Sequence, residues 1–252
     1  MKISVLASGS KGNCTYIETE NTKTLIDLGM SNLYIEKSLL SMGINPDQIN
    51  GIFITHTHVD HIAGLKVFMK KHHPTLFLTK KMYDELSTIL EIKEYVIMED
   101  KIVLNDLIVE FFKTSHDAPD SVGYIFKNED KEFVYVTDTG YIHTKNFSKI
   151  ANKNIYVFES NHDVEMLMNN EHYPYYTKQR ILSDKGHLSN KDSAYYLSKF
   201  VGSETKYIVL AHLSEQNNNP ELAYNTIKEK LNNENIKILI ASQNEKTELL
   251  EI

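Results

Sequence analysis

Three histidines and an aspartate fall within six positions of this chain. In residues 51–65, GIFITHTHVDHIAGL, a short apolar run leads straight into His56, His58, Asp60 and His61. Imidazole and carboxylate are costly to bury unless something compensates their lost hydration, and four at one point are hard to satisfy together with neutral partners. A divalent metal ion compensates all of them. His56 and His58 are two apart, so on extended chain both rings project to the same side, while Asp60 and His61 follow at the turn into a helix. The spacing differs from a helical His-Glu-x-x-His pattern, in which ligands four apart share one helix face. Here one pair can bind one ion while the turn residues face another. Four donors cannot fill two coordination shells, so more are required downstream. His116 after the run 107–113, Asp138 closing FVYVTD before Gly140, and His212 directly after YIVLA meet that requirement. Each follows an apolar run, and open α/β sheets collect functional groups where such strands end.

Composition limits the setting. The 252 residues are 41% hydrophobic, ordinary for a packed globular chain. Without a linker, internal repeat or low-complexity segment, one domain over residues 1–252 is expected. The single cysteine, Cys14, excludes an intramolecular disulfide and any cysteine-built zinc or iron–sulfur centre, so a metal site must use His and carboxylate. Cys14 itself is expected in the core. No run approaches the roughly 18 apolar residues of a membrane span, and the N-terminus lacks an apolar signal core, so a cytoplasmic protein with no membrane partner is expected. The formal charge of −7 argues against a broad, sequence-independent grip on nucleic acid. It omits bound cations, which sit where a phosphate would have to go. Lys178, Arg180 and Lys185 either add to such a site or remain solvated surface charge.

The elements that must position these groups follow from hydrophobic patterning. Residues 2–7, 14–19, 23–29 and 52–55 read as strands, with a helix from Ser31 as N-cap to a stop at Gly43 and another over 62–72. Strands are expected at 75–79, 95–98, 107–113, 123–126 and 133–137, with a helix near 81–90. The last hundred residues alternate: strands at 155–158, 207–210 and 236–240, helices at 163–168, 176–183, 191–200 and 220–231. Two sheets with helices outside are the expected arrangement.

The donor pattern resembles that of the metallo-β-lactamase-fold hydrolase superfamily, whose His-x-His-x-Asp-His motif followed by separate His, Asp and His matches His56, His58, Asp60, His61, His116, Asp138 and His212. The chain is more closely similar to the YycJ (WalJ) type, a 5′→3′ exonuclease branch acting on double-stranded DNA, through LASGSKGNCTYIE (6–18), ESNHDVEML (159–167), KGHLSN (185–190) and LAHLSEQNNNPELA (210–223). Gln216 stands where an acidic residue is expected, away from the metals. The resemblance implies an α/β (α+β) αββα four-layer sandwich, two mixed sheets face to face with helices on both outer faces. It also implies one ion on His56, His58 and His116, a second on Asp60, His61 and His212, and Asp138 bridging. Two ions roughly 3.5–4 Å apart share a hydroxide nucleophile and stabilise the entering and leaving oxygens of a phosphodiester. A His and carboxylate shell does not choose among zinc, manganese and iron.

The expected function is therefore a dinuclear metal-dependent phosphodiesterase, a 5′→3′ exonuclease with DNA as its partner and Asp60 essential to catalysis. His187 is the candidate general acid for the leaving 3′ oxygen, worth ~10² to 10⁴ in rate, or else a phosphate contact or a helix-capping residue. His162 is a candidate for phosphate contact or for support of the ligands, and Glu159 for orienting one. The SGSKGN loop, residues 8–13, offers backbone amides to a phosphate or forms a plain hairpin turn. The run HYPYYT, 172–177, stacks on an unpaired base or packs as core and rim; His72, His73, His143 and His172 are surface or packing residues. A glyoxalase II-like thioester hydrolase uses the same seven ligands and is the alternative. A non-catalytic metal-binding regulatory protein is the third reading, and a structural site would need only four ligands around one ion.

Overall fold

A computed structural model describes residues 1–252. In chain order the first elements are β1 (Lys2–Ala7), β2 (Cys14–Glu18), β3 (Lys23–Ile26), α1 (Asn32–Leu40), β4 (Gly51–Phe53), α2 (Val59–Ile62), α3 (Leu65–His72), β5 (Thr75–Leu78), α4 (Lys80–Leu86) and β6 (Tyr95–Ile97). Then come β7 (Ile102–Leu104), β8 (Leu107–Lys113), β9 (Val122–Asn128), β10 (Lys131–Val136), α5 (Phe147–Ile150) and β11 (Ile155–Glu159). The chain closes with α6 (Val164–Asn169), α7 (Tyr175–Ile181), α8 (Asn190–Phe200), β12 (Tyr207–Ala211), α9 (Pro220–Leu231), β13 (Lys237–Ile240) and β14 (Leu250–Glu251).

The strands form two seven-stranded sheets, ordered β14-β1-β2-β3-β4-β5-β6 and β13-β12-β11-β10-β9-β8-β7. Each is antiparallel at one end and parallel at the other, the change falling at β3 in the first and at β10 in the second. The α/β four-layer arrangement expected from the sequence is present. Alternation along the second sheet shows why both its faces are covered. Phe133, Tyr135, Ile155, Val157 and Val209 join one buried cluster, whereas Val134, Val136, Tyr156, Phe158, Ile208 and Leu210 join another. The first cluster fills the space between the sheets and reaches α1, α3 and α4; Phe53 stacks on Phe77 at 4.5 Å and meets Tyr124 and Phe126 of the facing sheet edge-on. The second lies under α5, α8 and α9. A period of two puts successive side chains on opposite faces, so apolar residues at every position serve a sheet buried on both sides.

Local signals place the helices. Ser31 caps α1 by accepting from the Tyr34 amide, Asp163 caps α6, Ser189 caps α8, and Asn219 with Pro220 at the first turn starts α9. Two strands escaped expectation, β7 and β14, because two or three residues are too few to show alternation. The strand expected over 52–55 ends at Phe53, since the chain leaves the sheet there to bring Thr55 and His56 to its edge. No helix is long and apolar enough to cross a membrane.

Candidate metal centre

Sharp turns follow the strands that supply the site. Asp27 after β3, Asp138 after β10 and His212 after β12 all take left-handed backbone, with φ of 57°. Residues other than glycine hold that conformation only where the surroundings enforce it, and functional sites are where it gathers. Gly29 serves the same corner differently, because a Cβ there would lie 1.7 Å from the Asp60 carbonyl oxygen.

The stretch from the end of β4 through α2 carries four of the side chains. Thr55 anchors it, its amide and hydroxyl each donating to an Asp27 carboxylate oxygen at 2.8 Å. His58 occupies the N-cap of α2 on extended backbone and Asp60 and His61 lie in that helix's first turn, the split that their spacing implies. The rings of His56, His58 and His116 form a triangle with centroids 4.6, 5.0 and 5.0 Å apart, His116 entering from the loop after β8. Beside it, Asp60 Oδ2 lies 3.5 Å from His61 Nε2 and 3.6 Å from His212 Nε2. Asp138 stands between the two sets, with Oδ2 3.2 Å from His61 Nε2 and Oδ1 3.7 Å from His116 Nε2 and 3.5 Å from His212 Nδ1. Within each triad, donor atoms of all three residues lie within 4.8 Å of one another.

Unpartnered donors mark the same place. His56 Nε2, His212 Nε2 and Asp138 Oδ2 are buried and make no hydrogen bond, a cost that interiors rarely carry without a further occupant for the lone pairs. Imidazoles and carboxylates converging in this way fit divalent cations. Protonation differs across the centre. Burial, with the charge of His61, holds His56 well below the ordinary imidazole value, and burial lowers His116 as well. Burial pulls His61 and His212 the same way, but Asp138 and Asp27 outweigh it at His61, and Asp138, Asp60 and Glu159 bring His212 up to about 10. Asp60 and Asp138 stay below the carboxylate range despite burial, held there by His61 and His212.

Two buried carboxylates fix the rings. Asp27 Oδ2 is 2.7 Å from His61 Nδ1. Glu159, fully buried at the end of β11, shares Oε1 between His187 Nδ1 at 2.7 Å and His212 Nδ1 at 3.0 Å, while Oε2 accepts the Thr139 and Leu188 amides. Burial would raise Glu159, but the two histidines bring it down to about 2. As a carboxylate it can only accept, so both Nδ1 atoms donate and each Nε2 is left free. Glu159 thus orients the His212 and His187 rings. His187 lines a cleft of about 260 Å³ together with His58, Asp60, His116, Asp138 and His212.

Other expectations are narrowed or corrected. His162 is 1% exposed, does not line the cleft and has both ring nitrogens unpartnered, with burial lowering it to about 4. At this depth it neither reaches the cleft nor makes a side-chain hydrogen bond to any of the seven candidate ligands. Lys178 turns inward, donating to the Met168 carbonyl at 2.6 Å, so it is no phosphate contact; Arg180 does line the cleft and Lys185 does not. The SGSKGN loop is a turn whose Ser8, Gly9, Lys11, Gly12 and Asn13 amides are taken by Ser242, Asn13, Gln243, Gly9 and Asp60, so it has almost no amides left for a phosphate. The tyrosines of 172–177 divide, Tyr173 lining the cleft and Tyr175 and Tyr176 standing exposed away from it. Cys14 is buried in the core, and Gln216 lies outside the cleft. His72 packs on Phe68 between Glu36 and Asp47.

Sequence reasoning missed Asp27, Asp117 and a group of amides. Asp27 ends an apolar run, the same signal that singled out Asp138. Asp117, next to His116, lies 3.3 Å from its Nε2. Asn190, Asn218, Asn161 and Ser160 form one buried network. Ser160 donates to Asn190 Oδ1, Asn190 to Asn218 Oδ1, Asn218 to the Ser160 and Asn161 carbonyls, and Asn161 to the His212 carbonyl, at 2.7–3.0 Å. Three separated sequence stretches meet there.

The chain is similar throughout to known proteins. A family model described as the Metallo-beta-lactamase superfamily matches residues 7–212. The Exodeoxyribonuclease YycJ of Bacillus anthracis is 38% identical over 236 residues, covering 92% of this chain and 89% of its own length. The Exodeoxyribonuclease WalJ of Streptococcus pneumoniae is 39% identical over 237 residues, with coverages of 91% and 88%. Among solved structures, the metallo-beta-lactamase fold protein YhfI of Bacillus subtilis superposes with a TM-score of 0.75 at 13% identity, covering 98% of this chain and 99% of the other.

Proposed function

The chain belongs to the metallo-β-lactamase superfamily and, within it, to the family of the exodeoxyribonucleases YycJ and WalJ, and from that premise we propose that it is a dinuclear metal-dependent phosphodiesterase degrading double-stranded DNA from the 5′ end. The observation that carries the reading is Asp138, a buried carboxylate with an unpartnered oxygen between two complete triads. A structural site closes one ion with four ligands; two triads sharing a carboxylate suit a pair of ions and an open position.

His56, His58 and His116 would hold one ion and Asp60, His61 and His212 the other, with Asp138 reaching both. When bound, the ions supply Lewis-acid activation of water and neutralise charge on the phosphodiester. The chain's own residues hold that chemistry in place. Thr55 and Asp27 fix the His61 ring, and Glu159 fixes His212 while leaving His187 Nε2 free. The leaving 3′ oxygen needs a proton, and His187 is the cleft-lining histidine outside both triads. Its Nδ1 contact with Glu159 supports reading it as the general acid.

The test is a substrate panel on metal-loaded protein: 5′-phosphorylated and 5′-hydroxyl duplex DNA against a glutathione thioester, with metal content read by mass spectrometry. Two ions per chain and shortening of duplex DNA from its 5′ end are expected, and the bound element identifies zinc, manganese or iron. Turnover of the thioester alone overturns the assignment.

A further inference from the structure

Of the 27 lysine and arginine side chains in this protein, one is an arginine, Arg180, and it is also the one that lines the metal-site cleft. The two cations are not interchangeable. An ammonium is a compact point charge, whereas the planar guanidinium donates two parallel hydrogen bonds that match the oxygens of a phosphate. Tyr173, Thr177, Arg180 and Ile181 recur at helical spacing and all line the cleft, so one face of α7, with Tyr173 two residues ahead of it, contributes to the cleft together with Ser10 and Ser214. The Arg180 side chain is 67% exposed, with Nε 3.5 Å from Asp117 Oδ2, and Asp117 in turn touches the first triad through His116. The guanidinium therefore rests one carboxylate away from the candidate metal ligands, in a solvated pairing that an entering anion can replace. Nearby Lys178 is occupied with the Met168 carbonyl and cannot substitute for it.

We propose that Arg180 is a specificity-determining residue that clamps a phosphate of the nucleic-acid strand beside the scissile bond, leaving Asp117 as the strand enters, with the Thr177 and Tyr173 hydroxyls alongside. This rests on the phosphodiesterase reading. The phosphate is either the 5′-terminal one or an internal one of the backbone.

The experiment compares wild type, Arg180→Ala and Arg180→Lys on 5′-phosphorylated and 5′-hydroxyl duplex DNA over a range of salt, with metal content and melting temperature measured for each. Arg180→Ala is expected to raise KM about tenfold or more, the loss falling on KM rather than kcat, and to reduce the slope of log KM against log salt by about one. Arg180→Lys restores the slope but leaves KM several-fold high, because charge returns without the fork. A penalty confined to phosphorylated ends identifies the terminal phosphate; an equal penalty on both ends identifies an internal one. Wild-type KM and slope in Arg180→Ala, or a loss in kcat alone, overturn the inference while the nuclease reading stands. If the wild-type enzyme leaves every duplex intact, both fall together.

Discussion

On one side of the cleft, His56, His58, Asp60 and His61 come from a single six-residue stretch, buttressed by Asp27 and Thr55. On the other, Asp138, Glu159, His187 and His212 come from four segments, with Glu159 and His212 53 positions apart. The near wall needs little beyond local chain geometry, since its donors are delivered together by one strand end and one helical turn. The far wall draws on the ends of β10, β11 and β12, which pair in parallel, and on the loop that carries His187. Beyond those strand ends the buried amides of Asn161, Asn190 and Asn218 join the segments around Glu159, His187 and His212. Closing loops costs chain entropy, and a buried polar network repays it only when every member is satisfied. The two triads, which cut across these walls, differ in their protons, with His56 and His116 of the first lowered and His61 and His212 of the second raised. A contiguous motif thus builds its ligands cheaply, and a dispersed one needs supporting residues that touch no substrate.

The comparison can be broken by substitution, starting with the near wall. Asp60→Asn removes a carboxylate charge from the second triad and is expected to cost several kcal/mol of transition-state stabilisation, roughly 10³-fold or more in kcat. The thermal melt should change little; a variant that digests DNA at the wild-type rate would sink the metal assignment. On the far wall, His187→Ala should lower kcat by about 10²-fold or more while both ions stay bound. Loss of an ion in that variant would make His187 a ligand and not an acid.

The supports come next in size. Asp27→Asn and Glu159→Gln should each weaken binding of one ion by about 10- to 100-fold, measured by competition with a chelator. Glu159→Gln should in addition lower kcat at saturating metal, because it holds His187 as well, whereas Asp27→Asn should not. Equal kcat values for the two variants would erase the distinction between the walls.

Proton competition gives a smaller and graded effect. With His212 raised to about 10, an ion entering the second triad at neutral pH must displace a proton. Its affinity should therefore climb as pH rises toward 10, by up to about tenfold per unit for each proton released. His56 and His116 are already neutral, so the first triad should respond less. Calorimetric titration at pH 6 and pH 8 should lose the second ion first at the lower value; identical loss of both would refute the asymmetry. Last, Asn218→Ala leaves buried partners unsatisfied and should lower stability by about 1–3 kcal/mol, seen in a denaturant melt, with the first triad still binding its ion.

Much of the centre is legible in the sequence. The cluster from His56 to His61 stands out because polar groups at such density need a common partner, and His116, Asp138 and His212 because each follows an apolar run. Asp27 shows the same signal in TLIDLG, yet a strand-ending aspartate is commonplace until His61 is seen 2.7 Å from it. The depth of His162 and the inward turn of Lys178 were out of reach for a different reason: periodicity assigns a face but not what covers that face. Arg180 was visible as a charge, though not as part of the cleft wall.

The chain's own order of residues determined which donors exist, which strands carry them and that cysteine could not take part. These are local matters, set by the cost of burying polar groups and by the two periodicities of the backbone. Which donors meet, which carboxylate orients which ring and which amides tie the loops together were decided only by the packed sheets. Those relations hold across space between segments far apart in the chain, and no spacing along the sequence records them.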